Sequence, residues 1–367
     1  MTRNRSATYR TVLVALAAAS ALSLSLAGCG TSATPSTKAT STSASGAAST
    51  FYQGKTVNLI VGNAPGTGPA NAMVALRSAL ETKLDATINM TFSTANPIVP
   101  EDQVGTAAPD GLTMGELSLG SALVAEIAGT GTPQFSLQKA SFAGALLQQD
   151  DVVVACAHSP FTSMAQVIAG KTPVTMVSQK NTNNGLIASY VLGAWPVKHT
   201  WDYYSGSADQ TAGCERGDGN LSVGTVTSFT DAAGTAMDPG ITPLLLMSKE
   251  PTTLKGSFLN ARVPTVATFL KSHPARTASG KEAIALLGSV FTDTTPSFAV
   301  FGPAGIPASR VAAFAAAMKS AVAEPSVTTA FESQSQPPGF VPPAAVQSFV
   351  AATLQDSSKI KPYLSSQ

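Results

Sequence analysis

The chain has 367 residues, a formal net charge of +1, and 44% hydrophobic but only 12% charged side chains. A charged fraction of about half the usual ~25% leaves no basic face, so nucleic acid is excluded as an expected partner. Cys29, Cys156 and Cys214 and the scattered His158, His199 and His273 lack metal-ligand spacing, and neither a metal nor a cofactor is expected.

Residues 1–28 have the layout of a secretory signal. Arg3, Arg5 and Arg10 precede an apolar run from Val12 to Ala27. At about sixteen residues, mostly Ala, Ser and Leu, this run is short for a membrane anchor, which needs roughly 20. Leu26-Ala27-Gly28-Cys29 looks like a bacterial lipobox, in which the Cys29 thiol is lipidated and becomes the first residue of the mature protein. The expected location is therefore extracytoplasmic, anchored by lipid to the cell membrane. Cleavage there leaves 19 basic and 21 acidic side chains, a net charge of −2. Residues 29–50 are almost all Ser, Thr, Ala, Gly and Pro with one charge, Lys38. They read as a flexible linker with too little apolar surface to order.

The folded part begins near Phe51. Thr56–Val61 reads as a buried strand, followed by a loop over 62–69 and a helix with Met73, Leu76, Leu80 and Leu84 on one face. Ala86–Phe92 and Thr113–Ser118 read as the next strands, and Ser141–Leu147 and Val152–Ala157 as further apolar runs. Asp150-Asp151 is expected in a solvated turn. The pattern then repeats: a short helix at Met164–Ala169, a strand at Pro173–Val177, a polar loop over 178–185, and a helix at Leu186–Gly193. A helix opened by Tyr204-Ser205-Gly206-Ser207 and strands at Leu221–Val226 and Thr242–Met247 follow. Two amphipathic helices close the chain, one carrying Val311, Phe314, Met318 and Val322, the other Val346, Phe349, Val350 and Leu354. The alternation predicts α/β lobes with mostly parallel sheets. Lobe 1 is assigned 51–155 and 250–367 and lobe 2 is assigned 156–249, hinged around a cleft of the kind that holds small ligands.

Few residues invite catalysis. Gly66-Thr67-Gly68 sits between a strand and a helix, but the third glycine of a dinucleotide loop is replaced by Asn71. No acid ends the second strand, and no Lys-Ser/Thr pair is present. The loop is either a tight turn or a site where backbone amides and a helix N-terminus hold a carboxylate. Ser121 and Ser207 are flanked by glycine, yet no histidine lies in a suggestive context and no nucleophile elbow occurs. His158 reads as a surface or hinge residue and Asp218 as a turn residue. Cys156 and Cys214 are an even pair, suited either to a disulfide or to two buried thiols.

Taken in order, these segments resemble the substrate-binding proteins of tripartite tricarboxylate transporters, the Bug-type solute receptors. The resemblance rests on Tyr52-Gln53-Gly54-Lys55-Thr56-Val57, Ala64-Pro65-Gly66-Thr67-Gly68, and Ala107-Ala108-Pro109-Asp110-Gly111-Leu112-Thr113. It continues through Tyr204-Ser205-Gly206-Ser207, Arg262-Val263-Pro264-Thr265-Val266-Ala267-Thr268 and Pro303-Ala304-Gly305-Ile306-Pro307. It implies a periplasmic-binding-protein-like, type II clamshell that closes on a small carboxylate through backbone amides, small hydroxyls and waters. The matching positions are Pro65, Gly66, Thr67 and Gly68; Ser118, Gly120 and Ser121; Asn183, Asn184 and Gly185; and Gly206 and Ser207. The implied partners are a small di- or tricarboxylate and membrane permease subunits, and the chain is expected to act as a monomer and not as an enzyme. Three features depart from the family pattern: Thr67 and Pro69 break the first glycine loop, no counterpart of the usual glycine-rich stretch is seen at Ser93–Pro97, and Asn183-Asn184 replace smaller residues. The other functional readings are a ligand sensor or interaction protein on the same fold, and a secreted serine hydrolase using Ser121 or Ser207.

Overall fold

The computed structural model describes residues 50–93, 98–130, 134–147, 150–231, 234–247, 257–259, 263–290, 295–334 and 339–367. The signal segment, Cys29 and the linker to residue 49 lie outside the described residues, as does most of Ser93–Pro97. Among the described residues, no helix is long and apolar enough to cross a membrane.

The first sheet starts as its pattern predicts. Strand β1 (Thr56–Val61) runs parallel to β2 (Thr87–Phe92) and to β3 (Thr113–Ser118). Between β1 and β2 lies helix α1 (Gly68–Leu84). Extended Thr67 precedes it, Pro69 occupies its first turn, where no amide is needed, and Asp85 in the left-handed region ends it. Met73, Leu76, Leu80 and Leu84 are all buried, as their spacing requires. Helix α2 (Ile98–Gly105) precedes β3, and α3 (Leu119–Ala128) follows it directly. Strand β4 (Ser141–Leu147) joins later in the same sheet.

The chain then builds a second sheet from β5 (Asp151–Ala155), β6 (Val174–Ser178), β7 (His199–Tyr203), β8 (Leu221–Thr225) and β9 (Thr242–Leu246). Helices α4 (Met164–Ile168), α5 (Asn183–Ala194) and α6 (Ser207–Arg216) connect these strands, and α7 (Val266–Ser272) and α8 (Ala278–Val290) follow. A single strand, β10 (Pro296–Gly302), returns to the centre of the first sheet. Helices α9 (Ala308–Val322) and α10 (Pro325–Ser333), the short β11 (Phe340–Val341), and α11 (Pro343–Gln355) and α12 (Ser357–Ser365) complete the chain.

The sheets are mixed rather than mostly parallel. The first has the order β11-β4-β10-β3-β1-β2, and β10 is antiparallel to both neighbours. The second has the order β7-β6-β8-β5-β9, parallel around β6 and antiparallel around β5. Both contain strands that enter from the other half of the chain or from a hairpin-like return, and such strands reverse direction. Two assignments shift with this topology. Residues 151–155, assigned by sequence to the first lobe, are a strand of the second sheet. Asp151 is fully buried as the first residue of β5, not solvated in a turn, because β8 and β9 flank that strand on both sides.

Each sheet is covered on both faces, and strand alternation sorts its side chains between two cores. In β1, Val57, Leu59 and Val61 join the core under α1 and α9, while Ile60 joins the opposite one. In β5, Val153 and Ala155 face α5 and α8, while Val152 and Val154 face the core that holds Cys156 and Cys214. Those two cysteines form a disulfide, with Cα atoms 4.7 Å apart. Helix α3 serves both lobes: Leu119 and Leu123 belong to the first-sheet core, Val124 and Ile127 to the core of the second.

Candidate functional site

Four loops in this fold share one property. The β1–α1, β3–α3, β6–α5 and β7–α6 connections each leave the C-terminal end of a strand and enter a helix N-terminus. Since β1 is parallel to β3 and β6 to β7, the loops cluster in two pairs. Crevices outside the carboxyl ends of parallel strands are where open α/β sheets bind ligands.

In the first loop, Pro65, Gly66, Thr67 and Gly68 are all exposed. Gly66 takes φ +88°, a left-handed conformation that a side chain would strain. The Thr67 hydroxyl donates to the Ala64 carbonyl at 2.7 Å, and the Asn71 side-chain amide donates to the Gly66 carbonyl at 3.2 Å. The loop is thus braced from within, and α1 begins without a side-chain cap on its first amides.

Ser118 precedes α3 but does not cap it either; its hydroxyl turns to Glu116. Gly120 and Ser121 lie in the first turn and meet the second lobe. The Asn183 backbone amide donates to Ser121 Oγ at 3.5 Å. A Cβ on Gly120 would stand 2.8 Å from Asn183 Oδ1, so a residue without a side chain is what permits this approach.

Asn183, Asn184 and Gly185, expected in the loop before the helix, form the first turn of α5 itself. The helix starts early because Thr182 caps it, accepting from the Gly185 amide at 3.1 Å. Gly206 precedes α6 with no side-chain cap, and Ser207 is that helix's first residue. Gln179 donates to Ser207 Oγ at 3.2 Å and to Gln210 Oε1 at 2.7 Å, so it ties the α5 and α6 entrances together. The structure therefore joins Gly120 and Ser121 to Asn183, and the 178–182 loop to Ser207, while Pro65–Gly68 stand exposed.

Three participants escaped the sequence reading. Asn63 links the first two loops, donating to Glu116 Oε2 at 2.9 Å and to Ser118 Oγ at 3.4 Å. Glu116 is 1% exposed in the middle of β3. Burial pushes its carboxyl up to about 7 against the lowering effect of hydrogen bonds from Asn63, Ser118 and the Gly62 backbone. Gln367 lodges its side chain at the α5 entrance and accepts from the Asn181 amide at 2.9 Å. The one available signal was for Glu116, an acid inside an otherwise apolar strand.

The serines have no base beside them in these contacts. Ser121 and Ser207 bond to an amide and to Gln179, whereas His158 is exposed, His199 bonds the Val197 carbonyl and His273 bonds Ser272. The twelve loop residues include neither Lys nor Arg, so the positive potential among them comes from backbone amides and helix ends.

Two mixed α/β halves, bridged by α3 and carrying their strand-to-helix loops toward one another, define the periplasmic-binding-protein clamshell. Within that class the chain has the fold of the TctC and Bug solute-binding proteins. It superposes on a TctC solute-binding protein from Polaromonas with a TM-score of 0.62 at 16% identity, over 86% of this chain and 100% of that one. A malate-bound MatC from Rhodopseudomonas palustris gives 0.60 at 15% identity over 84% and 99% of the two chains. A further R. palustris protein, solved with adipate, gives 0.64 at 15% over 85% and 97%. No protein-family model and no curated protein matches the chain by sequence.

Proposed function

We propose that this chain is an extracytoplasmic solute receptor that captures a small organic carboxylate and presents it to membrane permease subunits of the tripartite tricarboxylate type. The observation that carries the reading is the set of helix entrances: α1, α3 and α6 each begin without a side-chain cap. Uncapped first-turn amides carry a partial positive charge and point out of the helix, which suits a carboxylate without any Arg or Lys. The fold neighbours solved with malate and with adipate support the same ligand class. The ligand-binding set is Pro65, Gly66, Thr67, Gly68, Ser118, Gly120, Ser121, Asn183, Asn184, Gly185, Gly206 and Ser207, with no bond made or broken. Cys29 is the lipid-anchor residue, and the 29–50 linker lets the receptor search near its permease without diffusing away.

A panel of di- and tricarboxylates, amino acids and aromatic acids tests this by thermal shift. A ligand at about a hundred times its Kd adds roughly 2.7 kcal/mol of stability. A panel with no shift defeats the proposal. For the anchor, Cys29→Ser releases the protein from membranes on fractionation, and a variant that stays membrane-bound argues against lipidation.

A further inference from the structure

The hydrogen bonds around Glu116 consume the donors of the loops above it. Asn63 turns its side-chain amide inward to Glu116 Oε2 and Ser118 Oγ, and the Ser118 hydroxyl donates to Glu116 Oε1 at 3.4 Å. An ionised carboxylate only accepts, so this arrangement commits the single proton of Ser118 and the Asn63 amide to the interior. What remains toward the ligand is an amide oxygen and a hydroxyl lone pair, and both repel a carboxylate.

The surroundings supply no counter-charge. β1 and β10, on either side of β3, contain no titratable residue, and α1 has none before Arg77. On α3 the only one is Glu126, toward its far end, and α2, packed across β3, brings Glu101 and Asp102. Burial first, and then the charges of Glu116 and Asp102, push Glu101 up to about 8.

We propose that Glu116 is the specificity-determining residue of the first-lobe mouth. Protonated, it becomes a donor to Ser118 or Asn63 and lets them turn donors outward to a ligand carboxylate; ionised, it holds their donors inward. The proton comes from solvent, so each carboxylate captured by ionised protein takes up one proton. The inference rests on the carboxylate reading above. It goes further by naming Glu116, Asn63 and Ser118 as the group that decides between anionic ligands and ligands offering donors of their own.

The test is calorimetric titration of malate and adipate into detergent-solubilised full-length protein and its E116Q variant, from about pH 6 to about pH 8. If only the protonated form binds and its midpoint is near 7, wild-type affinity falls about tenfold across that range, as the competent fraction falls. E116Q, which keeps a donor at all pH values, loses that dependence, and the proton uptake measured across buffers at about pH 8, where Glu116 is mostly ionised, falls from nearly one to none. The same pH dependence in both proteins overturns the switch and leaves carboxylate capture standing. A carboxyl-detected NMR titration of the ligand-free wild type needs no variant. A Glu116 midpoint in the ordinary carboxylate range overturns the switch there too. Absence of binding by either protein to any acid of the panel at any pH removes the carboxylate reading, and the switch with it.

Discussion

Removal of the Cys156–Cys214 bridge puts a number on what the cross-link between β5 and α6 contributes to stability. Cys156 directly follows β5, Cys214 lies in the last turn of α6, and both are buried. The Ala157 amide donates to the Cys214 carbonyl at 3.0 Å and the Cys156 amide to the Asn220 carbonyl at 3.2 Å, so the junction stays docked without the cross-link. The cost therefore falls mainly on the unfolded chain, which regains the freedom of a closed loop. With a sequence separation of 58 residues, the loop-closure relation gives a loss on the order of 4 kcal/mol. For a folded part of this size that corresponds to a melting temperature lower by about 6 °C.

The assay is differential scanning calorimetry of Cys156→Ala/Cys214→Ala beside wild type. Unfolded, reduced and refolded wild type serves as a second arm that keeps both sulfur atoms in the core. If the reduced protein melts near the oxidised one while the double variant drops, lost packing rather than the cross-link is responsible, and the entropic argument is refuted. Peptide mapping without reductant that finds two free thiols refutes the bridge itself.

Gly120→Ala separates closure from stability. The new methyl crowds the Asn183 side chain at 2.8–2.9 Å, while helix propensity in α3 improves by up to about 1 kcal/mol. The ligand-free melting temperature therefore holds or rises as the ligand-induced shift shrinks; a full-sized shift contradicts the closing contact. Stability also depends on pH through Glu101 and Glu116, raised to about 8 and about 7. Between the ordinary carboxylate range and those values the native state binds more protons than the unfolded one, so stability falls as pH rises from about 5 to about 8. A melting temperature that climbs over this window contradicts the burial of these acids, and E116Q flattens part of the fall.

What could be read from sequence tracks how one-sided each element is. Helix α1 shows a clean stripe because its other face is exposed, and β1 and β3 are recovered to the residue. The missed elements lack that contrast. Helix α3 gives Leu119 and Leu123 to one core and Val124 and Ile127 to another, so it has no polar face and looks like a continuation of the strand before it. Strand β10 is buried at every position, and a short apolar run cannot be told from a helix segment by period alone. Strand β7, at an edge, alternates His199, Trp201 and Tyr203 with polar residues and shows little hydrophobic signal. The glycine and asparagine loops were visible because turn chemistry is local. Asn63 was not, and Glu116 showed only as an acid in an apolar strand, because their pairing arises from the β1–β3 register that sets Val61 beside Glu116.

The same helix that hid from the sequence links the candidate site to the second lobe's core. Helix α3 opens with Gly120 and Ser121 against Asn183 and, less than two turns later, buries Val124 and Ile127 in the second lobe's core. Its first residues touch the α5 entrance and its last are packed in the second lobe's core. Under the proposed receptor function, a ligand that bridges the α3 and α5 entrances favours the arrangement in which they touch, by its differential affinity. Glu116 lies two residues before Ser118, where α3 begins. Under the proposed switch, its protonation reaches a ligand through the Ser118 hydroxyl, at the entrance of the helix that touches both lobes.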